Sequence, residues 1–290
     1  NKKQAKELLD MLVDSQSDIH FNFEIRAEFL DEEMADLFAQ LPCSIQIGLQ
    51  SADQQVLAQV NRTLDPDRFY QNILLLHERG VVYGLDLMYG LPGESLESFL
   101  ASLDFALSVQ PNHIDIFPLE ILPGTDLYDR NAAGTLRFPS PEEIAQAAAV
   151  VRAVDIFYNK GRAAGWLDLL LSNFHVGAAE FFRLLSEQTD LQQIDDAAGY
   201  QEKAISVLCA ARNKSEYELL AQTLRQYFWQ LENLGLNDDS VQDYNCDPLV
   251  LIACLEDGIT DFGQILPFVQ AQTTRLRMQD ENGNIVFSCS

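Results

Sequence analysis

The stretch Val82–Tyr89 (VYGLDLMY), followed directly by Gly90-Leu91-Pro92-Gly93, decides the fold class. Leu85 and Leu87 alternate with Gly84, Asp86 and Met88, so one face of an extended segment is apolar and the other polar or bare. Three further runs read the same way: residues 20–26 (HFNFEIR), 44–50 (SIQIGLQ) and 113–120 (HIDIFPLE). Phe21, Phe23 and Ile25 alternate with His20, Asn22, Glu24 and Arg26, and Ile45, Ile47 and Leu49 alternate with Gln46, Gly48 and Gln50. A parallel strand covered by helices on both faces is almost continuously apolar, and these strands are not. Leaving so many polar side chains buried and unpaired would cost a few kcal/mol each, so their face is expected to be wet or filled by a polar ligand.

Each run is followed by a stretch with helix-start chemistry. Ser51 and Gln54 have the S-x-x-Q spacing of a capping box, Asp65 precedes Pro66, and Ser140-Pro141-Glu142-Glu143 combines cap, first-turn proline and third-position glutamate. The strands begin 24, 38 and 31 residues apart, about one βα unit each. Parallel pairing with right-handed crossovers follows. Four such units do not close a barrel, and the one-sided polarity favours a barrel segment lining a cavity over a doubly wound sheet. Glu24, Gln50 and Asp86 fall at or near the C-terminal ends of their strands, the rim where barrel enzymes place their chemistry. The turns at 90–93 and 122–125 (LPGT) bring glycines to the same rim, where backbone can approach a ligand closely.

These residues carry a resemblance. The segments FEIRAEFLDEE, IQIGLQSADQQVLAQVNR, GLDLMYGLPGES and FPLEILPGTDLY, within residues 23–128, resemble the second half of the catalytic barrel of radical S-adenosylmethionine enzymes. The pattern is similar to the branch of oxygen-independent coproporphyrinogen oxidases, and the FEIRA and FPLEILPGT wording favours the group with an N-terminal cobalamin-binding domain. The resemblance implies an α/β fold: a partial TIM-type barrel over residues 1–140, made of the last four βα units of six. A mostly helical accessory domain with a terminal β-hairpin is expected over 141–290. It further implies a [4Fe–4S] cluster that reductively cleaves S-adenosylmethionine to a 5′-deoxyadenosyl radical acting on a substrate that is a small molecule or of unknown class. An electron donor such as flavodoxin or ferredoxin would supply the cluster, and cobalamin would come with a preceding domain. The C-x-x-x-C-x-x-C loop that holds the cluster is absent from these 290 residues. A chain truncated at its N-terminus, and inactive by itself, is therefore expected.

Carried over position by position, the resemblance implies that Glu24 and Gln50 hydrogen-bond polar groups of S-adenosylmethionine. Arg62 would pair with the methionine carboxylate, for which a guanidinium fork is suited. Asp86 would accept from the ribose hydroxyls, and Tyr89 and Gly90 would approach the cofactor through their backbone. From the residues alone other uses stay open: Arg62 with a surface carboxylate, Glu24 with Arg26 or a neighbouring strand, Asp86 in a structural role. Two other function classes also stay open. One is a non-catalytic scaffold or binding protein on the same barrel, and the other a barrel lyase using Glu24 and Asp86 as an acid–base pair.

A net charge of −25, from 44 acidic and 19 basic side chains, disfavours nucleic acid and anionic membrane surfaces as partners. No run approaches 18 apolar residues, which excludes a simple transmembrane helix. The five cysteines (43, 209, 246, 254 and 289) are scattered and lack C-x-x-C spacing. No metal site is read from them, and a reducing cytoplasm is the expected location. Beyond Pro141 helices are expected over 142–160, 164–171, 178–185, 200–212, 216–234 and 248–255. Residues 276–278 and 285–287 flank an Asn-Gly turn signal at 280–284. The aromatics Trp166, Phe174, Phe181, Phe182, Tyr227, Phe228 and Trp229 are assigned to core packing.

Overall fold

Strands β1 (Phe21–Ile25), β2 (Cys43–Gln50), β3 (Val82–Tyr89) and β4 (His113–Pro118) pair in sequence order, all parallel. The chain is seen in a computed structural model that describes residues 2–232, 241–279 and 285–289. It divides into two compact units, Asn1–Asp155 and Ile156–Ser290.

In the first unit the strands are joined through α2 (Glu32–Phe38), α3 (Gln54–Gln59), α4 (Pro66–His77) and α5 (Leu96–Ser108), with α1 (Lys2–Ser15) leading in. Helices α6 (Asp126–Ala132) and α7 (Pro141–Val154) follow β4. The sheet face bearing Ile45, Ile47, Leu49, Leu85, Leu87 and Ile114 is buried, each residue 4% exposed or less. The opposite face carries Glu24, Gln46, Gly48, Asp86, His113 and Asp115, none of its polar side chains fully buried. Simple neighbour-to-neighbour order with one wetted face is that of a (β/α) barrel segment, as the alternation predicted. This fold is α/β, a partial TIM-type barrel followed by a helical region.

Helix starts follow their chemistry with one correction. Asp65 accepts from Arg68 N at 3.1 Å beside Pro66, and Ser140 with Glu143 forms a complete capping box. Ser51, however, caps nothing: Asp53 is the N-cap of α3, accepting from Gln55 N and Val56 N at 2.7 and 3.1 Å. Ser51 is fully buried, with its hydroxyl 3.1 Å from that of Ser102 on α5. An aspartate two residues downstream took the cap because its carboxylate reaches two orphan N–H groups at once.

In the second unit, α8 (Leu167–Phe174), α9 (Ala178–Ser186), α10 (Ala197–Ala211), α11 (Glu218–Glu232), α12 (Pro248–Glu256) and the short α13 (Phe262–Ile265) are the α-helices. Residues Asp155–Lys160 form a π-helical turn instead of extending α7. The buried amide of Gln201 donates to the carbonyls of Phe157 and Gly161, at 2.9 and 2.8 Å, replacing bonds the irregular turn gives up. Trp166, Phe174, Phe181 and Phe182 are core, as assigned, and Tyr227, Phe228 and Trp229 are half-buried. A three-stranded antiparallel sheet of β5 (Val241–Cys246), β6 (Ala271–Gln279) and β7 (Ile285–Cys289) was anticipated only in part. The β6–β7 pair matches the expected terminal hairpin, while its Asn-Gly turn at 280–284 lies outside the described residues. Strand β5 escaped the reading because VQDYNC buries only Tyr244 and Cys246.

Candidate functional site

Parallel register stacks the polar face into rows. Glu24 pairs with Gln46, Gln46 with Gly84, and Gly84 with His113; one step toward the C-terminal ends, Gly48 pairs with Asp86 and Asp86 with Asp115. Carboxylates, an amide and an imidazole thus line one face of the sheet by alternation alone.

Glu24 and Arg62 line one cavity of about 360 Å³ with Arg26, Phe29 and Gly48. Neither takes its local alternative. Arg26 pairs with Glu28, not with Glu24, and the Arg62 guanidinium donates to the Gly48 carbonyl at 3.3 Å, not to a carboxylate. Lys2 also lines the cavity, from α1, where its ammonium is 2.6 Å from Asp31. Partial burial works against ionisation of Asp31, but Lys2, the Met34 N–H and Lys6 together hold its carboxyl down at about 2.

Gln50 closes the end of β2 in a strained pose. Its φ is +70°, in the left-handed region that non-glycine residues avoid, and the β2–β3 register shifts between Gly48 and Gln50. A Cβ added at Gly48 would sit 3.0 Å from Gln50 Nε2 and 3.5 Å from Arg62 Nη1, so glycine leaves open the space between those two donors. Backbone strain of this kind is kept where the surroundings over-determine it, often at ligand sites.

Asp86 lies in register with Gly48, off the cavity lining and half-buried. Burial pushes its carboxyl up, and the neighbouring Asp115 and Glu24 push the same way; a hydrogen bond from Gln46 and the proximity of His113 oppose them. Tyr89 and Gly90 lie further along and do not join the cavity. The Tyr89 carbonyl accepts from Leu119 N at 2.9 Å, and Gly90 N–H donates to Glu94 Oε2 at 2.7 Å. Gly90 holds φ +84°, natural only to glycine.

Sequence reasoning passed over two features. Gln46 and His113 were visible as polar positions of the alternation, yet nothing local told that they meet. Glu94, in the turn after β3, is 7% exposed, and its Oε2 accepts from Gly90 N and Leu91 N while Oε1 has no partner. Burial raises its carboxyl to about 7 against the two backbone N–H groups that favour the ion. A glutamate directly after Pro-Gly was the available signal.

The donor set fits an amino-acid-bearing nucleoside: a carboxylate for an ammonium, a guanidinium for a carboxylate, and carboxamide and carboxylate groups for hydroxyls. It does not fit an iron–sulfur cluster, because no three cysteines of the sequence have cluster spacing, and among the described residues no His, Cys, Asp or Glu group is arranged to hold a metal. The Cys43, Cys209 and Cys246 thiols are buried, and burial raises all three. Among the described residues no helix is long and apolar enough to cross a membrane.

Residues 2–106 match the family model of the Radical SAM superfamily, as the resemblance within 23–128 implied. Among individual proteins, the chain is similar to "Heme chaperone HemW" of Bacillus subtilis, 25% identical over 205 residues, which is 69% of this chain and 52% of that protein. It is also 28% identical over 128 residues to "Oxygen-independent coproporphyrinogen III oxidase" of Helicobacter pylori, covering 43% of this chain and 28% of that one. A solved structure of coproporphyrinogen III oxidase from Escherichia coli, a radical SAM enzyme, aligns with a TM-score of 0.41 and 24% identity over 49% of this chain and 34% of its own. The chain spans about half, or less, of the length of these relatives.

Proposed function

We propose that the first unit binds S-adenosylmethionine at the C-terminal ends of its strands, as part of a radical S-adenosylmethionine enzyme. The observation that supports this reading best is the convergence of Glu24, Gln50 and Arg62 around Gly48, with Asp86 in register with Gly48 on the next strand. Glu24 would take the ammonium, Arg62 the carboxylate and Asp86 the ribose hydroxyls, with Gln50 donating from its strained strand end. Tyr89 and Gly90 would bound the nucleoside side. Reductive cleavage of S-adenosylmethionine would require a [4Fe–4S] cluster, for which these 290 residues hold no cluster-spaced cysteines. An electron donor of the flavodoxin or ferredoxin kind, and cobalamin as a further cofactor, belong to the same proposal.

Calorimetric titration of the 290-residue protein with S-adenosylhomocysteine tests the reading. Arg62→Ala and Asp86→Ala are each expected to weaken binding about tenfold, the loss typical of a hydrogen bond to a charged group. Their melting should stay close to the parent's, since Arg62 gives up only one long bond to the Gly48 carbonyl. Unchanged affinity in both variants would overturn the assignment.

A second reading is a binding protein on the same barrel, favoured by the heme-chaperone relative, whose alignment runs over 69% of the chain. Under it the protein titrates with hemin, giving a saturable Soret change, whether or not Asp86 and Arg62 are replaced.

A further inference from the structure

Gln46 on β2 and His113 on β4 are separated by the whole of β3, roughly 10 Å in a sheet of ordinary strand spacing. They nevertheless meet: His113 Nε2 and Gln46 Oε1 are 2.7 Å apart. The meeting takes place over Gly84, the residue in register with both. A Cβ there would lie 2.3 Å from His113 Cε1 and Nε2 and 2.5 Å from Gln46 Oε1. Any side chain at residue 84 would separate them, which gives a physical reason for glycine in the middle of a central strand.

The other end of the Gln46 amide faces the next row. Its Nε2 donates to Asp86 Oδ1, and to Asp115 Oδ2 at 3.2 Å. The amide has only one consistent orientation: ionised carboxylates accept, so nitrogen faces them, and oxygen faces His113, which then donates from Nε2. Asp86 Oδ2 is the oxygen that Gln46 leaves unengaged. Without this amide, Asp86 would stand beside Asp115 and Glu24, both of which, like burial, disfavour its charged form.

We propose that Gln46 and His113, meeting over Gly84, form a positioning bridge that fixes the Asp86 carboxylate through Oδ1 and leaves Oδ2 to the ligand. Neither residue touches the ligand; both act through Asp86. The inference rests on the reading of Asp86 as the ribose acceptor.

A double-mutant cycle in the 290-residue protein, read by calorimetry with S-adenosylhomocysteine, tests it. Gln46→Leu, which keeps the bulk and removes the hydrogen bonds, is expected to weaken binding about tenfold in the parent and to add nothing in an Asp86→Ala background. A general structural defect would lower affinity in both backgrounds. His113→Gln, which retains an N–H donor toward Gln46 Oε1, should hold affinity within about twofold, whereas His113→Ala should follow Gln46→Leu. If Gln46→Leu does not fold, the two His113 variants are read in the same cycle. An Asp86→Ala loss with Gln46 and His113 variants silent, or equally weakened in both backgrounds, overturns the bridge and leaves the ribose assignment standing. A silent Asp86→Ala overturns the ribose assignment, and the bridge with it.

Discussion

Glu94→Gln is expected to abolish a loss of stability of about 3 kcal/mol that the parent suffers between pH 4.5 and pH 7. The folded carboxyl titrates at about 7 and the unfolded one near 4.5. Below 4.5 both states carry the proton, and the neutral group contributes its full share. As pH rises toward 7 the unfolded chain ionises while the folded chain does not, so stability falls; above 7 both are ionised and the loss is complete. The cause is burial at 7% exposure with Oε1 unpartnered, which two backbone N–H groups on Oε2 offset only in part. Glutamine presents the same acceptor to Gly90 and Leu91 without a charge. Urea unfolding of parent and variant from pH 4 to 8 gives the result as a difference, in which other carboxylates cancel. Parallel curves would show that Glu94 ionises as freely in the turn as in water. Because Glu94 ties Gly90 and Leu91, its ionisation also bears on the shape of the rim after β3.

Phe157→Ala is expected to destabilise the second unit by about 3–5 kcal/mol, the usual range for deleting a buried ring. Phe157 is fully buried, with its ring centroid 5.0 Å from Phe181, 5.4 Å from Trp166 and 6.0 Å from Phe182. Truncation leaves three aromatic neighbours facing a void they cannot fill without leaving their rotamers. The backbone bond from Gln201 to the Phe157 carbonyl survives, so the loss reports packing and not the π-helical turn. Denaturant titration followed by Trp166 fluorescence measures it, and a loss below about 1 kcal/mol would mean that this cluster is loosely packed.

The four parallel strands, their order and the wetted face were legible because each strand alternates with period two against a helix-covered core. Glu24, Arg62, Gln50 and Asp86 were reached through motif resemblance. Ser51 was misassigned because capping depends on which oxygen reaches the orphan N–H groups, and S-x-x-Q and Asp53 compete within three residues. Strand β5 was missed because its partners lie some 30 residues downstream, in register pairs such as Val241 with Arg277. The helical region was expected to begin at 141, whereas helix α7 belongs to the first compact unit, which ends at Asp155. A helix that buries Ala147, Val150, Ala153 and Val154 groups with the core it covers, wherever the strand pattern stops.

By itself the sequence determined what is periodic and local: which residues share a strand face, which turns need glycine, and the absence of cluster-spaced cysteines from these 290 residues. Tertiary structure alone decided which polar residues meet. Gln46 and His113 lie 67 positions apart and touch only because β3 places a glycine between them, and Gln50 and Arg62 both come to lie beside Gly48. Such meetings depend on register and on the space above one residue, and neither is written in the spacing of a single segment.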